Sequence, residues 1–120
     1  MPETVLVLDD NAANRAMMRS IFIIEGCDVV DYGRPDEALE ELESLSPSIF
    51  VIDYHMPAMD GVSFAKKVIE TDAAYAEKAF VLVTGDIEVA DAADLSFLSR
   101  AQIIVKPATL NEIRKAAFAL

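Results

Sequence analysis

The sequence is poor in the residues from which many functional sites are built. Its 120 residues include one cysteine, one histidine, four glycines and no tryptophan. The single cysteine, Cys27, allows neither an internal disulfide nor a cysteine-based zinc cluster. Basic residues are also scarce, with 10 Lys and Arg against 21 Asp and Glu. The resulting net charge of -11 disfavours direct binding to nucleic acid or to anionic lipid.

Long hydrophobic runs are missing as well. No apolar run approaches the roughly 18 to 20 residues that a membrane span requires, and the N-terminus lacks a basic and apolar signal region. We therefore expect no membrane association and a cytoplasmic location. The hydrophobic fraction of 53% is enough for a well-filled core. Because we find no repeat and no linker, we expect residues 1–120 to form a single domain.

Short β-branched runs alternate along the chain with longer segments of helical period. The predicted strands are residues 4–8, 27–31, 48–52, 79–83 and 102–105. This alternation is typical of a parallel sheet covered by helices on both faces. We expect an α/β fold of the doubly wound, three-layer, flavodoxin-like type, (βα)5, with strand order 2-1-3-4-5. In such folds the functional crevice lies beyond the carboxyl ends of the strands.

The first predicted helix begins at Asn11 and ends at Gly26. Its predicted inner stripe follows the helical period and comprises Ala13, Ala16, Met17, Ser20, Ile21 and Ile24. Met18 and Phe22 lie one turn apart on another face. These two side chains either pack against a neighbouring helix or loop, or form a docking surface for a protein that approaches the crevice.

The other helices have ordinary start signals. Pro35 opens the second, and Asp60 or Gly61 opens the third. Thr109 and Glu112 have capping-box spacing and open the fifth. The fourth helix is expected over about residues 87–98, although two aspartates and a serine lower its helix propensity.

Polar residues follow four of the five predicted strands at their carboxyl ends. These residues are Asp9 and Asp10, Asp53, Thr84 and Lys106. Three carboxylates at one edge repel each other unless a cation lies among them, and Mg²⁺, or Mn²⁺ in its place, prefers such oxygen ligands. Lys106 adds an ammonium group and Thr84 a hydroxyl, while Asp53 is the carboxylate central enough to act as a nucleophile. Together these groups suit phosphoryl transfer.

The sequence resembles the receiver domain of two-component response regulators over essentially its whole length. The resemblance rests on "VLVLDDN", "VIDYHMPAMDG", "VLVTGD" and "IIVKPAT", in the family's order and spacing. It implies a bacterial-type signalling domain, not an enzyme, that assists its own phosphorylation and dephosphorylation. The implied partners are a histidine kinase or histidine phosphotransfer protein and a downstream protein target, with the domain a monomer or a weak phosphorylation-dependent dimer.

The resemblance implies a phosphoacceptor and a metal site. Asp53 would accept the phosphoryl group from a phosphohistidine. Asp9, Asp10 and Asp53, together with the backbone carbonyl of His55, would hold Mg²⁺. The opening "DDNAANR" resembles receivers fused to hybrid histidine kinases, so a phosphorelay role or a fragment of a larger protein is also open.

Further roles follow from the resemblance for the other strand ends. Thr84 would bond a phosphoryl oxygen and shift on phosphorylation, while Lys106 would pair with another oxygen. The peptide bond between Lys106 and Pro107 is expected to be cis. His55 is either a loop side chain in solvent or, together with Asp86, a determinant of the lifetime of the acyl phosphate.

The sequence departs from the family on the face formed by the fourth helix, the fifth strand and the fifth helix. Many receivers have Tyr or Phe three residues before the lysine, and its rotamer couples to the threonine. Here Ile103 stands at that position, and it neither swings a ring nor donates from a hydroxyl. In addition, "FLSRAQ" lacks a common glycine, and "KPAT" lacks the apolar residue that often follows Lys-Pro. The output of the domain is therefore expected to differ.

Three other functions compete with phosphoryl acceptance. A haloacid-dehalogenase-like phosphatase requires a second acid two residues after the nucleophile, where His55 stands. A flavodoxin-like cofactor carrier requires a phosphate loop rich in Ser, Thr and Gly after the first strand, which this sequence lacks. A receiver that works by contacts alone, without phosphorylation, stays open because of Ile103.

Overall fold

The structure, a computed structural model, describes residues 3–119. Five parallel strands form one sheet in the order β2-β1-β3-β4-β5. The strands are β1 (Thr4–Leu8), β2 (Asp28–Tyr32), β3 (Ile49–Asp53), β4 (Ala79–Thr84) and β5 (Arg100–Val105). This order confirms the predicted doubly wound, flavodoxin-like fold. The bounds of β1 are those predicted, and the bounds of the other strands differ from the predicted ones by at most two residues.

A helix follows each of the five strands. They are α1 (Ala12–Ile24), α2 (Pro35–Leu45), α3 (Gly61–Thr71), α4 (Ile87–Ala92), α5 (Leu110–Ala119) and a 3₁₀ helix (Ala73–Glu77) that no pattern predicted. The predicted start signals are confirmed, because the side chains of Asn11 and Asp60 accept hydrogen bonds from backbone N–H groups of α1 and α3. Across residues 3–119, none of the helices combines the length and the apolar character needed to cross a membrane.

Helix α4 is shorter than predicted. It ends at Ala92, and Ala93 has extended backbone with φ -65° and ψ 127°. Just beyond, the carboxylate of Asp94 accepts a hydrogen bond from the N–H of Ser96 at 3.0 Å. Short polar side chains compete with the helix for backbone groups in this way. The predicted helix over residues 87–98 is therefore wrong in its second half.

Side chains that alternate along the strands bury both faces of the sheet. One face packs against α1 and α5, and the other packs against α2, α3 and the 3₁₀ helix. On the second face, the rings of Phe50 and Phe80 stack with centroids 4.5 Å apart, and Tyr75 meets Phe50 edge-on. All five residues of β3 are buried. This packing fixes where the carboxyl ends of the central strands lie.

The inner face of α1 is not the predicted stripe. Met18 and Phe22 are 6% and 0% exposed, whereas Met17 and Ile24 are 49% and 82% exposed. The ring of Phe22 lies 5.9 Å from that of Phe118 on α5. Apolar residues occur all round this helix, so the helical period alone did not determine which face turns inward. Packing against a neighbouring helix is therefore confirmed for Phe22, and its docking role is wrong. Met18 is buried as well but borders the groove described below, so its docking role stays a prediction.

Candidate functional site

Three carboxylates meet at the carboxyl ends of β1 and β3. Oxygen atoms of Asp9, Asp10 and Asp53 all lie within 4.8 Å of one another. Asp9 and Asp53 are 3% and 7% exposed, and Asp10 is exposed. The two strands are parallel neighbours, with Leu8 paired to Ile52, so their ends meet at one edge of the sheet. The structure thus brings together the three acids that the sequence singled out.

The Asp53 carboxyl is electrostatically strained in this position. Burial raises its pKa above the ordinary value, the charges of Asp9 and Asp10 raise it further, and the charge of Lys106 lowers it. The Nζ atom of Lys106 lies 3.5 Å from Asp53 Oδ1, and the Lys106 side chain is 41% exposed. One partly exposed lysine leaves the three carboxylates with excess negative charge. Oxygen ligands with such a charge fit a hard divalent cation such as Mg²⁺.

The Thr84 hydroxyl lies at the end of β4, beside the acidic cluster. Strand β4 neighbours β3, and Thr84 follows Val83, the residue in register with Asp53. Thr84 is fully buried, and its Oγ1 accepts a hydrogen bond from the N–H of Asp86 at 3.1 Å. The Nε2 atom of His55 also lies 3.1 Å from this oxygen. His55 is therefore a loop residue with an exposed side chain, as one of the two interpretations had it, and it is also bonded to Thr84.

The Asp86 carboxylate caps α4. Its Oδ1 accepts hydrogen bonds from the N–H groups of Glu88 at 2.9 Å and Val89 at 3.4 Å. Asp86 thus reaches Thr84 through its backbone, while its side chain stabilises the start of the helix. The effect of Asp86 on phosphate lifetime stays a prediction.

Strand β5 contributes a lysine and an apolar residue to this edge. The backbone N–H of Lys106 donates to the carbonyl of Thr84 at 2.7 Å, and the peptide bond between Lys106 and Pro107 is cis. Ile103 is half-buried, pairs in register with Leu82 and packs against the core on the α2 and α3 side. It offers no side-chain atom that could form a hydrogen bond.

A groove of about 370 Å³ leads to the acidic cluster between α1 and the loop from β5 to α5. Its polar lining is Asp9, Asn14, Asp53 and Lys106. Its apolar lining is Met17, Met18, Val83, Pro107, Ala108, Leu110 and Ile113. A side chain that enters this groove from solvent reaches the Asp53 carboxylate.

Arg15 is a residue of this site that the sequence patterns missed. Its Nη1 donates to the backbone carbonyl of Asp9 at 2.8 Å, and its Nε donates to the carboxylate of Asp31 at 3.3 Å. A Cβ atom at Gly33 would lie 2.8 Å from Arg15 Nη1, so a glycine there leaves room for the guanidinium. The Asp9 carboxylate in turn accepts the N–H of Asn11 at 2.9 Å. These contacts depend on the packing of β1, α1 and β2, which no local sequence pattern reports.

The chain matches a family model for the response regulator receiver domain over residues 5–118. The chemotaxis protein CheY of Bacillus subtilis (strain 168) is 32% identical over 74 residues, which cover 61% of this chain and 62% of that protein. A protein-glutamate methylesterase/protein-glutamine glutaminase of Hahella chejuensis is 37% identical over 67 residues, 54% of this chain and 19% of that protein. The alignments thus cover less than two thirds of either relative.

A solved structure shows the same fold. A chain of the CheX-CheY-BeF₃-Mg²⁺ complex from Borrelia burgdorferi superposes with a TM-score of 0.81 at 22% identity, over 99% of this chain and 89% of that chain. The family match begins in β1 and ends in α5, and so includes every strand end that forms the acidic edge. The chain therefore belongs to the response regulator receiver domain family.

Proposed function

We propose that this domain accepts a phosphoryl group on Asp53 from a phosphohistidine. Phosphoryl acceptance is the general function of the family. The observation that carries the proposal for this chain is the Asp53 carboxylate, which ends a fully buried strand beside two other carboxylates and the Lys106 ammonium. A rigid strand holds the attacking oxygen in place, and the groove admits the donor.

In the proposed reaction, an oxygen of Asp53 attacks the phosphorus atom. The new O–P bond forms as the P–N bond to the donor breaks, and the donor, protonated on its other ring nitrogen, leaves as neutral imidazole with the bonding electron pair. Lys106 would pair with one phosphoryl oxygen, and the Thr84 hydroxyl would donate to another. In the return step, water attacks the phosphorus, the O–P bond breaks, and inorganic phosphate leaves the regenerated carboxylate.

Receiver domains bind Mg²⁺ at an acidic cluster of this kind. Here Asp9, Asp10 and Asp53, with the backbone carbonyl of His55, would hold the ion. Bound Mg²⁺ would supply positive charge that stabilises the phosphoryl oxygens during transfer. The carboxylates support this assignment, because their oxygens lie close together and the pKa of Asp53 is raised. Mn²⁺ prefers similar oxygen ligands and would serve in its place.

Receiver domains interact with histidine kinases or phosphotransfer proteins and with downstream targets. In this chain the donor would dock in the cytoplasm over the groove beside α1, because the groove opens onto Asp53 and Met17 leaves apolar surface exposed there. A target would bind the face formed by α4, β5 and α5, and the domain would be a monomer or dimerise weakly on phosphorylation. Because the matched segment makes up only 19% of the Hahella chejuensis protein, a relay role within a larger protein is compatible with the match.

A second candidate function is regulation by contact alone, without phosphorylation. The observation that favours it is Ile103, which is half-buried against the core and has no polar side-chain group to respond to a change at Thr84. In that case the acidic cluster would persist without taking part in signalling. The two functions differ in whether a phosphoryl group is taken up.

Incubation of the purified domain with Mg²⁺ and a small acyl phosphate tests the proposal. We expect a phosphoryl adduct in the intact mass spectrum that forms with Mg²⁺, fails to form with EDTA, and disappears with hydroxylamine, which cleaves acyl phosphates. The decay of the adduct gives its lifetime. An absence of any adduct, together with no binding of beryllium trifluoride, would contradict phosphoryl acceptance and favour the contact-only function.

Arg15→Ala is expected to weaken Mg²⁺ binding by about 10- to 100-fold, as is usual when a residue that orients a metal ligand is removed. The physical reason is the loss of the charged hydrogen bond to the Asp9 carbonyl. Calorimetric titration with Mg²⁺ measures the change. Arg19→Ala is the matched control, because Arg19 also pairs with Asp31 but that bond does not reach Asp9. If Mg²⁺ binding weakened equally in both variants, the loss would come from the positive charge of α1 and not from the hydrogen bond to Asp9.

A further inference from the structure

The Thr84 hydroxyl is already engaged before any phosphoryl group arrives. Its oxygen accepts the N–H of Asp86, and Nε2 of His55 lies at hydrogen-bond distance on another side. Thr84 is 0% exposed, so its hydroxyl depends on these partners for hydrogen bonding. A phosphoryl oxygen that accepts a hydrogen bond from the Thr84 hydroxyl must therefore displace one of these existing hydrogen-bond partners.

The donor in the contact between Thr84 and His55 follows from the other bond. The Asp86 N–H occupies one lone pair of Thr84 Oγ1, and the buried O–H of Thr84 still needs an acceptor, for which His55 Nε2 is the group at hydrogen-bond distance. We assign this O–H as the donor and His55 Nε2 as the acceptor, which places the imidazole proton on Nδ1. The hydroxyl proton offered to His55 is the one that the proposed reaction needs for the phosphoryl oxygen.

The His55 side chain has room to move once its hydrogen bond to Thr84 breaks, although the backbone beside it is fixed. The backbone of the preceding residue, Tyr54, is fixed on both sides, since its N–H donates to Val83 and its carbonyl accepts from Gly61, each at 2.9 Å. The half-buried Tyr54 ring meets the His55 ring edge-on, with centroids 4.9 Å apart. The backbone at Tyr54 is thus tied down, while the His55 side chain is exposed and is held to Thr84 by Nε2. On β5, by contrast, Ile103 has no group with which to bond Thr84.

We propose that His55 is the positioning residue for Thr84 in this domain. In the resting state His55 Nε2 accepts a hydrogen bond from the Thr84 hydroxyl, and this bond breaks when the hydroxyl turns to a phosphoryl oxygen. The inference rests on the proposed function. Under this proposal the loop between β3 and α3 responds to the movement of Thr84, a response for which the Ile103 side chain has no hydrogen-bonding group. His55 then acts on phosphate lifetime through Thr84, separately from any role of its backbone carbonyl.

The chain has one histidine, so a long-range ¹H–¹⁵N spectrum of the imidazole contains a single residue. The chemical shifts of the two ring nitrogens report which of them carries the proton. We expect the Nδ1–H tautomer at rest. Addition of Mg²⁺ and beryllium trifluoride should convert it to the tautomer mixture of a free imidazole. Thr84→Val should give that mixture without any addition.

Fluorine NMR on the same sample shows whether beryllium trifluoride binds, so the two proposals fail in different ways. Bound fluoride with an unchanged imidazole spectrum would overturn the role of His55 and leave phosphoryl acceptance intact. A sample that binds no beryllium trifluoride would overturn both. A resting spectrum that already shows the free mixture would overturn the role of His55 alone.

Substitution of His55 gives a second, quantitative test. His55→Leu keeps the backbone carbonyl and removes the competing acceptor, so beryllium trifluoride should bind about two- to tenfold more tightly, the value of one hydrogen bond. His55→Gln offers an amide oxygen in place of Nε2 and should restore the wild-type affinity. Tyr54→Phe, which keeps the neighbouring ring, is the control. Equal affinities for the Leu variant, the Gln variant and the wild type would overturn the proposal.

Discussion

Asp53→Asn is expected to abolish the phosphoryl adduct on this domain. The amide has no anionic oxygen to attack phosphorus, and Asp9 and Asp10 follow β1 instead of ending the central strand β3. Mass spectrometry after incubation with a small acyl phosphate and Mg²⁺ measures the loss. Asp91→Asn, at an exposed position of α4, is the control and should be phosphorylated like the wild type. An adduct of undiminished amount on the Asp53→Asn variant would place the acceptor elsewhere.

The same substitution is expected to stabilise the domain when divalent cations are absent. The pKa of Asp53 is raised in the folded state, so the folded chain binds this proton more tightly than the unfolded chain. The free energy of unfolding contributed by Asp53 therefore falls as pH rises from the ordinary aspartate pKa through the raised one. Above that window the ionised carboxylate destabilises the wild type, and the neutral amide does not.

Urea denaturation of both proteins in EDTA, at a series of pH values, measures this difference. The gap in unfolding free energy should widen in favour of Asp53→Asn as pH rises, and then level off. With Mg²⁺ at about 100 times its dissociation constant, the wild type should gain about 2.7 kcal/mol, and the variant should gain much less. Equal gains in both proteins would place the Mg²⁺ site away from Asp53.

Phe50→Ala is expected to lower the free energy of unfolding by about 3–5 kcal/mol. The side chain is fully buried on a central strand, stacks on Phe80 and meets Tyr75 edge-on. Small domains have a total stability of about 5–15 kcal/mol, so this one change removes a large share of it. Urea denaturation gives the value, and Phe50→Leu should lose less because it leaves a smaller cavity.

Ile87→Ala is the matched control for this prediction. Ile87 is 63% exposed on α4, and its replacement should change the stability by less than about 0.5 kcal/mol. A loss at Phe50 no larger than the loss at Ile87 would contradict the assignment of Phe50 and Phe80 to the core.

The strands and their order were predictable because buried parallel strands are short apolar runs bounded by polar residues. Their ends also marked the site, since Asp53 and Thr84 end β3 and β4, and Lys106 follows β5. The face of α1 was not predictable, because Met17 and Met18 are adjacent and both apolar. The end of α4 was predicted too late because the helical period continues beyond Ala92. In the fold, the Asp94 carboxylate instead accepts the backbone N–H of Ser96, which a longer helix would use.

The contacts that tune the site lay beyond sequence reasoning. The bond from Arg15 to Asp31 joins a helix to the next strand, and the bond from His55 to Thr84 joins the loop after β3 to the end of the neighbouring strand β4. Such pairs depend on how elements pack in three dimensions. The sequence offered the residue types, but their partners are a property of the folded chain.

The alternation of side chains along the strands divides this site into two compartments. Asp9, Asp53 and Lys106 alternate in step with the side chains that pack against α1 and α5. They are therefore on that face of the sheet, where they line the groove. By the same alternation, Thr84 is on the face of β4 that carries Phe80 and Leu82, which pack against α2 and α3. Under the proposed function, the sheet acts as a partition with phosphoryl entry on one side and its detection on the other. Substitutions around the groove could then change the donor while the detecting residues stay constant, so the two specificities are free to diverge independently.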